Sequence, residues 1–271
     1  MIDSVAVATG GWAERPILDV IDALAAVGVR AVEIGTPPRH FDPLQREGIE
    51  AVRERLEQAG IRPVSIHAPF GGYLDLADPN PRHRLAAVGA ILETARALQA
   101  LGGEVVVVHP SDRPRDGAQL DESLGHCIEA LAPLVRGCRE LGLTLALESP
   151  LPHLIGGAPA EFERILASLP GEVAVCLDTS HLWLGGHWDR FVELAAGRGL
   201  HLHASDNRGT YDDHLPPGDG VIDWGHVGRS LTAAEFSGWM VLELAGSDGP
   251  LEPYVERARA SFESLVNGAR P

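Results

Sequence analysis

Short apolar runs and longer amphipathic stretches alternate along the whole chain. Runs rich in valine, isoleucine and leucine suit a buried strand. They lie at 4–8 (SVAVA), 29–34 (VRAVEI), 62–67 (RPVSIH), 104–109 (EVVVVH), 143–148 (LTLALE), 172–178 (EVAVCLD), 200–204 (LHLHA) and 239–244 (WMVLEL). Between them the apolar positions take a helical spacing near 16–27, 44–59, 82–101, 118–141, 159–168, 188–196, 224–235 and 251–266. Asn80-Pro81 and Asp223-Trp224 each put a capping side chain at the start of such a stretch. Gly28, Gly60, Gly102 and Gly142 close four others. Eight strand–helix repeats in 271 residues predict a (β/α)₈ TIM barrel, one α/β domain over 1–271. A doubly wound sheet shares the alternation. It would need a GxGxxG turn after the first strand, where this chain has only the pair Gly10-Gly11.

The chemistry sits at the strand ends. Predicted strands two to eight finish on, or one residue before, Glu33, His67, His109, Glu148, Asp178, His203 and Glu243. In a closed parallel barrel these side chains converge on the C-terminal rim, where barrel enzymes hold their active sites. Glu148, Asp178, His203 and Glu243 form a donor set of three carboxylates and one imidazole. Such a set suits a divalent cation, manganese or zinc foremost, with magnesium or cobalt also compatible. Without a cation, carboxylates that close together must share protons. In CLDTSH, Asp178 and His181 are three apart on a loop turning into a helix. In YDDHLPPGDG, Asp212 and His214 are two apart after strand seven. Pro69 and Pro110 stiffen the backbone beside His67 and His109.

Other residues are weaker candidates. His201 shares a strand face with His203 and should lie one layer deeper, as a supporting hydrogen-bonder or a buried polar filler. His40 and His153 fall in loops on the active face and could touch substrate. So could Arg208, past strand seven. Trp12 and the loop 70–76, with Phe70, Tyr73 and Leu74, could wall the site. His83, His126, His187 and His226 lie in or beside helices, where surface roles are expected.

Charge removes whole classes of function. Asp plus Glu is 38 against 22 basic residues, a net charge of −16. All the basic residues are Arg, so Schiff-base, pyridoxal and P-loop lysine chemistries are excluded. A chain this acidic offers no electrostatic footprint for nucleic acid. No apolar run reaches the roughly 20 residues that span a bilayer, and no basic segment opens the chain, so a cytoplasmic protein without a membrane partner is expected. Cys127, Cys138 and Cys176 are odd in number and form no CxxC, so they should be small core residues.

Taken together, HAPF (67–70), VVVVHP (105–110), LALES (145–149), CLDTSH (176–181), HLHASDN (201–207), DDHLPPGDGVIDW (212–224) and VLELA (241–245) resemble the xylose isomerase-like TIM barrels. The likeness is to the sugar phosphate isomerase/epimerase group in particular, and endonuclease IV belongs to the same superfamily. For the epimerases the resemblance implies one divalent metal on Glu148, Asp178, His203 and Glu243, with Glu148 and Glu243 also the acid/base pair. For endonuclease IV it implies zinc ions on those four plus His67, His109, His181, Asp212 and His214. Both sets are complete in this chain.

Two readings follow. In the first, the chain isomerises or epimerises a small sugar, or sugar phosphate, by proton transfer through a metal-stabilised enediolate. Glu148 and Glu243 move the proton, and His67, His181 and Arg208 contact the substrate. In the second, a zinc cluster hydrolyses phosphodiesters at abasic DNA, which the net charge opposes. A homo-oligomer is compatible with either.

Overall fold

The computed structural model describes residues 5–246 and 250–268; Ser4, the predicted start of the first strand, lies outside them. In chain order the elements are β1 (Val5–Ala8), α1 (Ile17–Ala26), β2 (Ala31–Ile34), α2 (Arg46–Ala59), β3 (Arg62–His67), α3 (Pro81–Leu101), β4 (Val105–Val108), α4 (Leu120–Glu140) and β5 (Thr144–Glu148). There follow α5 (Pro159–Ala167), β6 (Ala174–Asp178), α6 (Thr179–Gly185), α7 (Trp188–Leu194), β7 (Leu200–Ala204), α8 (Trp224–Ala233), β8 (Met240–Leu242) and α9 (Leu251–Gly268). The strands pair in parallel in sequence order, and β8 closes on β1 to complete the barrel.

The strands are nearly continuous in apolar residues because both faces are covered. One face packs on the helices, where residues such as Leu98, Leu131, Phe162 and Phe191 are fully buried. The other face fills the barrel with small side chains: Ala6, Ala8, Ala31, Val64 and Val241 on one side, Val107, Ala146, Ala174 and Cys176 on the other. Along α4 the buried positions Leu124, Cys127, Leu131, Leu134 and Cys138 follow the helical repeat. All three cysteines are free and buried, as expected. The anticipated caps form. Asn80 Oδ1 accepts from Arg82 N at 3.0 Å, and Asp223 Oδ1 from His226 N at 2.9 Å. Gly60 and Gly102 end α2 and α3 at φ 66° and 82°, a left-handed conformation open to glycine without strain.

Two elements differ from the sequence reading, a single 3₁₀ turn at Gly10–Trp12 and the helix after β6. A helix was expected only from residue 188, yet α6 begins directly after β6. Asp178 caps it, its Oδ1 accepting from His181 N at 2.7 Å. At seven residues α6 is too short for a periodic signal, and the cap residue is also a strand end. Among the described residues no helix is long and apolar enough to cross a membrane.

Candidate active site at the barrel rim

Four strands bring the central donor set together. Glu148 ends β5, Asp178 ends β6, His203 lies one residue before the end of β7, and Glu243 directly follows β8. One donor atom from each lies within 4.8 Å of all the others. Asp178 and His203 are fully buried, Glu148 nearly so, and the Glu243 side chain is 22% exposed. His203 Nδ1 is 3.2 Å from Glu148 Oε1 and 3.0 Å from Glu243 Oε2. The second contact lacks hydrogen-bond alignment, so Glu243 Oε2 is buried without a partner, as is Asp178 Oδ2. Buried carboxylate oxygens with no donor carry a desolvation cost that a cation would offset. Three hard oxygen ligands and one imidazole could hold a divalent ion.

The remaining five predicted ligands surround this set. His67 Nε2 and His109 Nε2 reach Glu148 Oε2 at 3.1 and 3.0 Å. His181 Nδ1 contacts the Ser149 carbonyl at 2.9 Å, and its Nε2 meets Asp212 Oδ2 at 3.1 Å. Asp212 Oδ2 also takes His214 Nε2 at 2.8 Å. His181 links the two groups, with Nδ1 3.8 Å from Asp178 Oδ1 and 3.9 Å from Glu148 Oε1. All nine therefore form one continuous cluster.

Burial opposes every charge here, and the facing groups decide the outcome. Burial disfavours the His67 imidazolium, yet the hydrogen-bonded Glu148 carboxylate lifts its pKa to about 9. Burial likewise works against His214, but Asp212 and Glu243 lift it to about 10. Asp178 moves the other way for a carboxyl. Burial, reinforced by Asp212, Glu243 and Glu148, pushes it up to about 7 against the pull of His181. Glu148 is held well below the ordinary range because His109 and His203 outweigh its burial.

A cleft of about 360 Å³ opens beside the cluster, lined among others by Glu33, His67, Phe70, Leu74 and Glu243. Phe70 stacks on His109 with ring centroids 4.0 Å apart, so the loop after β3 does wall the site. Other expectations are corrected. Trp12 is packed into the core, outside the cleft lining. His40 is buried, with ring nitrogens 2.7 Å from the Arg15 carbonyl and 2.9 Å from Thr9 Oγ1, so it braces loops rather than facing substrate. His153 is exposed. Arg208 is also exposed, pairs with Asp213 at 3.0 Å and is outside the cleft lining.

Asp206 escaped the sequence reading. Its buried carboxylate accepts from Asn207 N (2.9 Å), Gly218 N (2.9 Å), Ile222 N (3.1 Å) and Trp224 Nε1 (2.9 Å). It thereby ties down both ends of the loop that carries Asp212 and His214. The available signal was an Asp beside a Gly-rich loop, which side-chain-to-backbone bonding favours. Asp206→Ala is expected to strand several buried donors and cost about 3 kcal/mol of stability. A chemical denaturation midpoint equal to the parent's would refute this.

A metal-capable cluster on the C-terminal rim of a closed parallel barrel defines the class. The chain belongs to the xylose isomerase-like TIM barrel family, matched over residues 21–265. It is 25% identical, over 282 aligned positions, to a putative hydroxypyruvate isomerase of Streptomyces coelicolor, covering 96% of this chain and 94% of that protein. It is 28% identical over 223 residues to a probable endonuclease 4 of Mycobacterium tuberculosis, covering 76% and 81%. The solved structure of a D-tagatose 3-epimerase-like protein superposes with a TM-score of 0.84 at 23% identity, covering 98% and 96%, a likeness of fold.

Proposed function

We propose that the chain is a divalent-metal-dependent isomerase or epimerase of a small sugar or related hydroxy-ketone. One observation carries this reading. Carboxylates from β5 and from the end of β8 bracket the same imidazole nitrogen, His203 Nδ1, at 3.2 and 3.0 Å, and a cleft opens on the second of them. Glu148, Asp178, His203 and Glu243 would hold the ion, and their unpartnered oxygens fit one. Bound there, manganese or zinc would polarise a substrate carbonyl and favour loss of the adjacent proton.

The protein's own groups then do the rest. Glu243, ionised and facing the cleft, removes the proton α to the carbonyl, and the C–H electron pair becomes the C=C bond of an enediolate. Glu148, the other carboxylate at His203 Nδ1, is ionised as well, so it would take a proton from the His67 imidazolium hydrogen-bonded to it at 3.1 Å and deliver it to the opposite face or to the neighbouring carbon. The proton on the partly exposed Glu243 would leave to solvent and His67 would regain one, so no net proton is gained or lost. His67 also lines the cleft and would be the group there to meet a substrate hydroxyl. His181 anchors the Asp178 side of the rim. The test is a panel of ketoses incubated with manganese- or zinc-loaded protein in deuterated water. Deuterium uptake at a carbon adjacent to the carbonyl supports the reading; absence of uptake across the panel removes it.

The continuous nine-residue cluster favours a second reading, hydrolysis of a phosphodiester by several zinc ions. Charge opposes it, because a net −16 repels a duplex. Duplex DNA carrying an abasic site should therefore show neither retention nor incision at moderate salt. Efficient incision by zinc-loaded protein would reverse the order of the two readings.

A further inference from the structure

One rim carboxylate has no part in these roles. Glu33, in β2, is 1% exposed and lies behind His203, on the side away from Glu148 and Glu243. Its own position is fixed. Ser65 Oγ donates to Glu33 Oε2 at 2.7 Å, and His201 Nε2 stands 3.3 Å from the same oxygen. The β2–β3 ladder makes this arrangement. Pairing runs Ala31 with Arg62 and Val32 with Pro63, then slips so that Glu33 faces Ser65. Without the slip the partner would be Val64, which has no side-chain donor. Bulges of this kind recur beside functional sites because they re-aim one side chain.

His203 stands between two groups of carboxylates. Nδ1 faces Glu148 and Glu243, while Nε2 is 3.1 Å from Glu33 Oε1 and 3.3 Å from Oε2. A neutral imidazole offers a lone pair on one nitrogen only when the other carries the proton. The hydrogen bond made by the far nitrogen decides which. We propose that Glu33 is a positioning residue for the metal centre: it accepts the His203 Nε2–H and so holds the Nδ1 lone pair toward Glu148, Asp178 and Glu243. This rests on the reading that those residues hold a divalent ion. Ser65 and His201 hold the Glu33 carboxylate in turn, which gives His201 its supporting role.

Mn²⁺ affinity, measured by competition with a fluorescent chelator, tests the proposal in a cycle of parent, Glu33→Ala, His203→Ala and the double variant. Glu33→Ala should weaken binding about 10- to 100-fold, the range for loss of a residue that orients a ligand. Glu33→Gln keeps an acceptor oxygen and should lose less than Glu33→Ala, but still measurably. Once His203 is gone, removing Glu33 should cost almost nothing more, which a merely space-filling carboxylate would not predict. If Glu33→Ala binds as the parent does while His203→Ala does not, the positioning role is wrong and the metal reading stands. Additive losses would also overturn it. If His203→Ala leaves Mn²⁺ affinity unchanged, the metal reading itself fails and takes the proposal with it. Should Glu33→Ala not fold, as judged by circular dichroism, the same cycle built on Glu33→Gln decides.

Discussion

Glu243→Gln should fold like the parent protein and turn over substrate at least about 10²-fold more slowly, the lower end for a lost general base. Glu243 follows β8 directly, and Val241 two positions earlier packs inside the barrel with Ala6 and Ala8. Strand alternation therefore turns Glu243 inward at the rim. Its carboxylate stays ionised: burial raises its pKa, but His203 and His214 pull it well below the ordinary range. A base that is ionised and faces the cleft is ready to accept a proton. Glutamine preserves volume and an oxygen ligand but cannot take up that proton, so metal should still bind while exchange of the substrate α-hydrogen with deuterated solvent disappears. Glu148→Gln should show a loss of the same order. The double variant should be far less impaired than the two losses combined, because the pair acts as one unit. Near-parental turnover and solvent exchange in Glu243→Gln would leave Glu243 at most a ligand.

The parts of this molecule that obey a period were legible in its sequence. Both faces of each strand are buried, so each reads as an apolar run, and the ionisable residue that breaks the run marks the rim. That is why the nine residues that gather in the cluster could be singled out in the sequence, although they come from six strand ends, the first turn of α6 and the loop after β7. What failed was orientation within loops. His40, Trp12 and Arg208 lie on the predicted face of the barrel, but sequence position does not say which way a loop side chain turns. His40 turns inward to Thr9 and the Arg15 carbonyl, and Arg208 pairs with Asp213 outside the cleft lining. Asp206 and Glu33 went unassigned for a related reason. Each acts through hydrogen bonds to partners far along the chain, and no local pattern reports those. The β2–β3 slip that sets Ser65 against Glu33 is invisible in a run such as RPVSIH.

Metal affinity should already fall with pH above the ordinary histidine range near 6.5, because the His203 pKa is raised well above it. The cause lies in the carboxylates. In the metal-free site they stabilise imidazolium, lifting His67 to about 9 and His214 to about 10, with His181 and His203 also well raised against the effect of burial. At neutral pH a metal must therefore displace protons, and each displaced proton adds up to tenfold to Kd per pH unit. The slope of log Kd against pH thus counts the protons released. One ion on the central four residues displaces the His203 proton and, below about pH 7, the Asp178 proton, so the slope should stay between one and two. A cluster using all nine ligands would also displace protons from His67, His181 and His214, and its slope should exceed three. Stability follows the same linkage. A histidine with a raised folded pKa stabilises the metal-free protein fully below its unfolded value, and that contribution is lost as pH rises through the folded one. The chelated protein should therefore lose melting temperature as pH rises from about 6.5 to about 10. Manganese- or zinc-loaded protein should lose less there, because the ion replaces the His203 proton while His67 and His214 still titrate. Melting curves at pH 7 and pH 10, each with and without chelator, check this. Equal melting temperatures with and without chelator at both values would rule out a tightly held metal at this rim.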